Sequence, residues 1–117
     1  TLPLGAAYEI INLKSLDFSH KHGLKKHRSE YSTLYIYENP KKFKINRIEP
    51  KKLLQRPEFR LTVDTPQDLW VVRIIHDSIG QKNTPVKLEK IIHFLDVNKE
   101  VAEINSNVSL KYKKYLK

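Results

Sequence analysis

The stretch Arg60-Leu61-Thr62-Val63-Asp64-Thr65-Pro66-Gln67-Asp68-Leu69 constrains this chain more than any other. A β-branched run closing on Val63 reads as a strand. Thr65 then offers a helix N-cap, and Pro66 takes the first helical position, where a missing N–H costs nothing. Asp68 closes a capping box at the positive end of the helix dipole. Leu69, Val72, Ile75 and Ile79 form an apolar stripe, widened by Trp70, Val71 and Ile74, and Gly80 stops the helix. Strand, sharp turn and helix in this order is a building unit of α/β domains.

The flanking sequence extends that pattern. Tyr8 to Leu13 reads as a strand, and Leu16 to His22 as a short helix between Ser15 and Gly23. Glu30 to Glu38 reads as a helix carrying Tyr31, Leu34 and Tyr35 on one face, and Asn39-Pro40 breaks it. Phe43 to Ile48 predicts a further strand, and Pro50 to Pro57 a loop with a single helical turn. After Gly80, Thr84-Pro85 starts a second helix with Leu88, Ile91, Ile92 and Leu95 as its stripe. Asn98 caps a third over Val101 to Ile104, and Asn105 to Lys117 is a basic, frayed tail. Three strands among four or five helices make a narrow sheet whose edges need a partner. The helix after Val63 has more apolar residues than such a sheet covers, so the expected architecture is an incomplete α/β one.

A length of 117 residues suits one modest domain, and 39% hydrophobic with 30% charged residues suits a globular one. The absence of cysteine excludes disulfides and thiolate metal sites and points to a reducing, cytoplasmic compartment. No apolar run reaches the ~20 residues of a membrane span. The chain begins at Thr1 and has no methionine, which fits either a removed start residue or a piece cut from a larger chain. The formal charge of +9 attracts polyanions, but 22 basic residues equally suit a solvated, lysine-rich surface, so nucleic acid is not the first expectation.

Ligands of open α/β sheets bind beyond the carboxyl ends of strands, and Asp64 stands at such an end. A carboxylate there suits Mg²⁺, which takes one or two carboxylates together with phosphate oxygens and waters. The same residue type also supports turns through its own backbone bonds, and pattern alone leaves both roles open. His20, His22 and His27 lie among lysines and an arginine that repel a cation, at no zinc spacing. His76 and His93 read as core-boundary residues. No nucleophile-and-base set is legible, so no catalytic residue is assigned, and with only three glycines there is no phosphate-cradling loop.

Four segments together resemble the carboxy-terminal half of spore-coat polysaccharide cytidylyltransferases, relatives of the synthetases that make CMP-acylneuraminate and CMP-Kdo. They are Leu2-Pro3-Leu4-Gly5 with Tyr8 to Ile11, then Arg28 to Pro40, then Phe43 to Ile45, then Arg60 to Leu69. The resemblance runs over residues 2 to 105 and is most specific at Val63-Asp64-Thr65-Pro66 and at Tyr35-Ile36-Tyr37-Glu38-Asn39-Pro40. It implies a partial Rossmann-like nucleotidyltransferase sheet with flanking helices, incomplete without an amino-terminal half. Residues 1–80 would form that carboxy-terminal half, and 81–117 a helical extension. It also implies CTP and a sugar acid as substrates, Mg²⁺ as cofactor and Asp64 as one metal ligand. Arg28, Glu30 and Tyr31 would line the sugar pocket, and the partner would be a second copy or the missing half. Ser29 and Tyr31 stand where that family shows arginine and histidine, and Gln67 where glutamate is common. The family's Gly- and Arg-containing CTP loop has no counterpart in these residues. Two further readings remain: a non-enzymatic dimerisation module, and a polyanion binder using Lys21 to Arg28, Lys41 to Arg47 and the terminal lysines.

Overall fold

A computed structural model describes residues 1–28 and 31–108 and contains five α-helices and two 3₁₀ turns among them. They fall into two compact units, Thr1–Ala7 with the described residues from Pro50 onward, and Tyr8–Glu49.

In the first unit, α3 (Pro66–Ile79), α4 (Leu88–Val97) and α5 (Lys99–Glu103) close on a core of Phe59, Val71, Ile75, Ile92, Leu95 and Val101. Helix α3 starts and stops where its sequence directs. Thr65 is its N-cap with the full capping box, Pro66 sits in the first turn, and the Gly80 N–H closes the last turn on the His76 carbonyl. The face it buries differs from the expected stripe. Asp68, Val71 and Ile75 are buried, whereas Leu69 and Trp70 are 37% and 60% exposed. The cause is Asp68, which ion-pairs inward with Arg60 and so turns the residues three and seven positions on toward the core. The expected α4 stripe is the buried one, with Ile92 and Leu95 at its centre. That helix begins at Leu88 rather than at Pro85, because Thr84 is spent in a tight turn. The turn is closed by Thr84 N–H donating to Gln81 O, and it contains Asn83 at φ 62°. Asn98 turns its amide back onto the Phe94 carbonyl and closes α4 instead of capping the next helix.

Arg60 to Val63, expected as a strand, is an extended segment with a single pairing, at Arg60, among the described residues. Leu4 and Arg60 form an isolated parallel bridge, with Leu4 N–H donating to Phe59 O at 2.9 Å and Leu61 N–H to Leu4 O at 2.7 Å. Gly5 makes this approach possible. At φ 92° it lies so close that a Cβ there would stand 2.6 Å from Thr62 N.

In the second unit, α1 (Leu13–His22) begins earlier than expected because Asn12, not Ser15, is the cap; its side chain accepts from Ser15 N–H. Helix α2 is Leu34–Glu38. His27, on the 3₁₀ turn Lys25–Arg28, is buried between the two helices. Leu24 N–H donates to its Nδ1, so the ring proton lies on Nε2 and donates to Glu38 at 2.7 Å. The Tyr35 ring meets the His27 ring edge-on at 5.2 Å, and Phe43 meets Phe18 and Tyr35 edge-on at centroid separations of 5.8 and 6.0 Å. Tyr8 to Asn12 and Phe43 to Ile48 make no ladder among the described residues. A strand exists only against a partner, and neither segment has one here.

Candidate functional site

The junction between the extended segment and α3 is an ion-paired knot. Asp68, fully buried, accepts six hydrogen bonds. Its Oδ1 takes Arg60 Nε at 2.7 Å and Asn105 Nδ2 at 2.8 Å. Its Oδ2 takes Arg60 Nη2 at 3.1 Å, the backbone N–H groups of Asp64 and Thr65 at 3.0 Å each, and the Thr65 hydroxyl at 2.9 Å. A carboxylate has about four lone-pair sites, so Asp68 has none left for a ligand. The Arg60 guanidinium, and after it the backbone, Asn105 and Thr65, hold its carboxyl far below the usual carboxylate range despite the opposing effect of burial. Asp68 is therefore a structural anion.

Asp64 is the opposite case. Its side chain is 48% exposed, and Oδ2 accepts from Arg60 Nη2 at 2.8 Å and from the Thr62 hydroxyl at 3.4 Å. Oδ1 has no hydrogen bond within the described residues. Two carboxylates against one guanidinium leave a net charge of −1, carried at the solvent side on Asp64. The described residues hold no group of three or more His, Asp or Glu placed for a metal ion. One half-exposed carboxylate fits a single Mg²⁺ ligand, provided that phosphate oxygens and waters supply the others. Arg60 Nη1 is buried without a hydrogen-bond partner among the described residues, a condition that costs about 1–3 kcal/mol.

No family model matches the chain, and no solved structure does. Two curated proteins do. An uncharacterized protein of Methanocaldococcus jannaschii is 37% identical over 108 residues, which is 92% of this chain and 44% of that protein. The spore coat polysaccharide biosynthesis protein SpsF of Bacillus subtilis is 29% identical over 101 residues, 86% of this chain and 42% of its own length. The chain is thus distantly similar to a protein of spore coat polysaccharide biosynthesis. It spans less than half the length of either relative.

The other residues singled out in the sequence lie in the second unit. Arg28 ends the 3₁₀ turn and is exposed; its Nε and Nη2 donate to the His20 carbonyl at 3.2 and 3.0 Å, capping the last turn of α1. Tyr31 is half-buried just before α2, with its carbonyl accepting from Leu34 N–H. Glu30 lies outside the described residues, as does most of the tail. His76 and His93 are exposed, not at the core boundary. Two members of the knot escape sequence reasoning. Arg60 reads as a strand residue and Asn105 as the start of a frayed tail, yet Asn105 is 1% exposed and donates to both Arg60 O and Asp68. For Arg60 a signal exists, since an arginine inside an apolar segment needs a buried acid. For Asn105 there is none. No helix is long and apolar enough to cross a membrane among the described residues.

Proposed function

We propose that this chain is the carboxy-terminal half of a cytidylyltransferase-type nucleotidyltransferase that activates a sugar acid with CTP for surface polysaccharide synthesis. The observation that carries the reading is Asp64, a half-exposed carboxylate held just before the cap of α3 within the stretch that most resembles those enzymes. The similarity to a spore coat polysaccharide biosynthesis protein supports it. In this reading Asp64 would hold Mg²⁺ through one oxygen, and the bound ion would supply charge neutralisation at the CTP phosphates. Arg28, Glu30 and Tyr31 belong to the sugar-acid pocket, where Arg28 Nη1 is available to a carboxylate. Arg60 to Val63 becomes a strand of a Rossmann-like sheet that an amino-terminal half completes; the bridge from Leu4 to Arg60 supports that role. Phosphoryl transfer rests on positioning and charge neutralisation, so half a site gives almost no rate by itself.

The alternative is a non-enzymatic module that associates through its exposed apolar residues, among them Val63 and Trp70, 52% and 60% exposed. The two readings separate when the longer protein, carrying this chain and an amino-terminal half, is incubated with CTP, Mg²⁺ and a panel of sugar acids. Pyrophosphate and a CMP-sugar are expected; CTP left intact with every acid contradicts the enzymatic reading.

A further inference from the structure

Arg60 is buried, at 8% exposure, on the segment leading into α3, and nothing in nucleotidyl transfer calls for it. A guanidinium is planar, with its donors in a rigid fork. Nε is seated on Asp68 Oδ1 at 2.7 Å, and Nη2 reaches Asp68 Oδ2 at 3.1 Å. Once those two bonds are made, the second Nη2 hydrogen has a fixed direction, and Asp64 Oδ2 lies along it at 2.8 Å. Asn105 locks the arrangement from behind by bonding both the Arg60 carbonyl at 3.0 Å and Asp68 at 2.8 Å. Nη1, buried with no acceptor among the described residues, shows that the fork is oriented by these acids and not by competing partners.

We propose that Arg60 is a positioning residue that makes Asp64 a one-oxygen donor: Oδ2 is taken up by the guanidinium and, more weakly, by the Thr62 hydroxyl, and Oδ1 alone is offered to a divalent cation. The proposal rests on the reading of Asp64 as a metal ligand. It adds a selectivity. Mg²⁺ and Mn²⁺ complete octahedra from single oxygens, whereas Ca²⁺, with six to eight ligands, readily takes both oxygens of one carboxylate. A carboxylate with one oxygen tied down therefore favours Mg²⁺ and Mn²⁺ over Ca²⁺. Lysine would keep the charge but, as a single ammonium, cannot span Asp68 and Asp64 together.

Mn²⁺ alone is the probe, added to the 117-residue chain at concentrations high enough to load the site with water completing its shell, while paramagnetic broadening of the Asp64 side-chain carbon is followed by NMR, with Mg²⁺ and Ca²⁺ as competitors. The Asp64 χ1 couplings are measured separately without metal. In the native chain a single χ1 rotamer is expected, with broadening that Asp64→Asn abolishes and that Mg²⁺ reverses at lower concentration than Ca²⁺. In Arg60→Lys the couplings should average and the preference for Mg²⁺ over Ca²⁺ should be lost, while broadening stays at Asp64. A single rotamer and an unchanged ion preference in Arg60→Lys would overturn the positioning role and leave Asp64 a ligand. No broadening at Asp64 in the native chain would overturn the ligand reading itself and the proposal with it. If Arg60→Lys does not fold, the native guanidinium decides. Separate Nη1 and Nη2 signals, with Nη2 moved by Asp64→Asn, support the proposal, and one averaged signal contradicts it.

Discussion

Arg60 and Asp68, eight residues apart, meet through two hydrogen bonds in the interior, Nε to Oδ1 at 2.7 Å and Nη2 to Oδ2 at 3.1 Å. Their pairing decides which face of α3 is buried and where Asp64 is held. Removing one partner of a buried pair leaves the other charge uncompensated. Asp68→Asn should therefore cost about 3–5 kcal/mol. Asp64→Asn breaks only a half-exposed contact and should cost under about 1 kcal/mol. Urea unfolding of the two variants measures the contrast; equal losses would mean that the knot does not depend on Asp68.

Acid should weaken the same pair. The Asp68 carboxyl is held below its ordinary value in the folded chain, so the unfolded chain takes up a proton first as pH falls. The stabilisation is complete above the ordinary carboxylate pKa of about 3.9 and is lost as pH drops from there through the folded value. An acid titration of far-UV ellipticity should show a steep limb below about pH 4, flattened in Asp68→Asn.

Gly5 gives a backbone test. Its φ of 92°, and the 2.6 Å that would separate an added Cβ from Thr62 N, mean that Gly5→Ala meets both strain and a clash. The left-handed conformation alone costs about 1–2 kcal/mol, and the loss should reach or exceed that figure. Thermal unfolding reads it, and an unchanged Tm would contradict the close packing of Leu4 on Phe59 and Leu61.

The sequence is legible where local chemistry decides. Thr65, Pro66 and Asp68 direct the start of α3 through bonds spanning three residues, and Gly80 its end. What spans longer distances is not legible. Arg60 meets Asp68 across eight residues and Asn105 meets Arg60 across 45, with no periodicity to announce either contact. The expected strands at Tyr8 and Phe43 depend on partners that residues 1–28 and 31–108 do not supply, so pattern and structure part there. Asp64 is singled out in the sequence by its place just before the α3 cap, but its tether to Arg60 is not legible there.

The apolar residues left outside give a prediction about association. Val63 and Trp70 are 52% and 60% exposed, and residues of this kind are usually covered when they form part of an interface. Sedimentation equilibrium should show apparent mass rising with concentration, and Trp70→Lys should reduce the rise. A monomer throughout the accessible range would count against pairing with a second copy.

The most direct test of the account is the turnover of the longer protein with and without the Asp64 carboxylate. Pyrophosphate release from CTP and Mg²⁺ in the presence of a sugar acid should fall by roughly 100-fold or more in Asp64→Asn, on the scale of losing one group that stabilises transition-state charge. Ellipticity and unfolding midpoint should stay close to those of the parent. Normal turnover by Asp64→Asn would contradict the assignment of Asp64 to the metal.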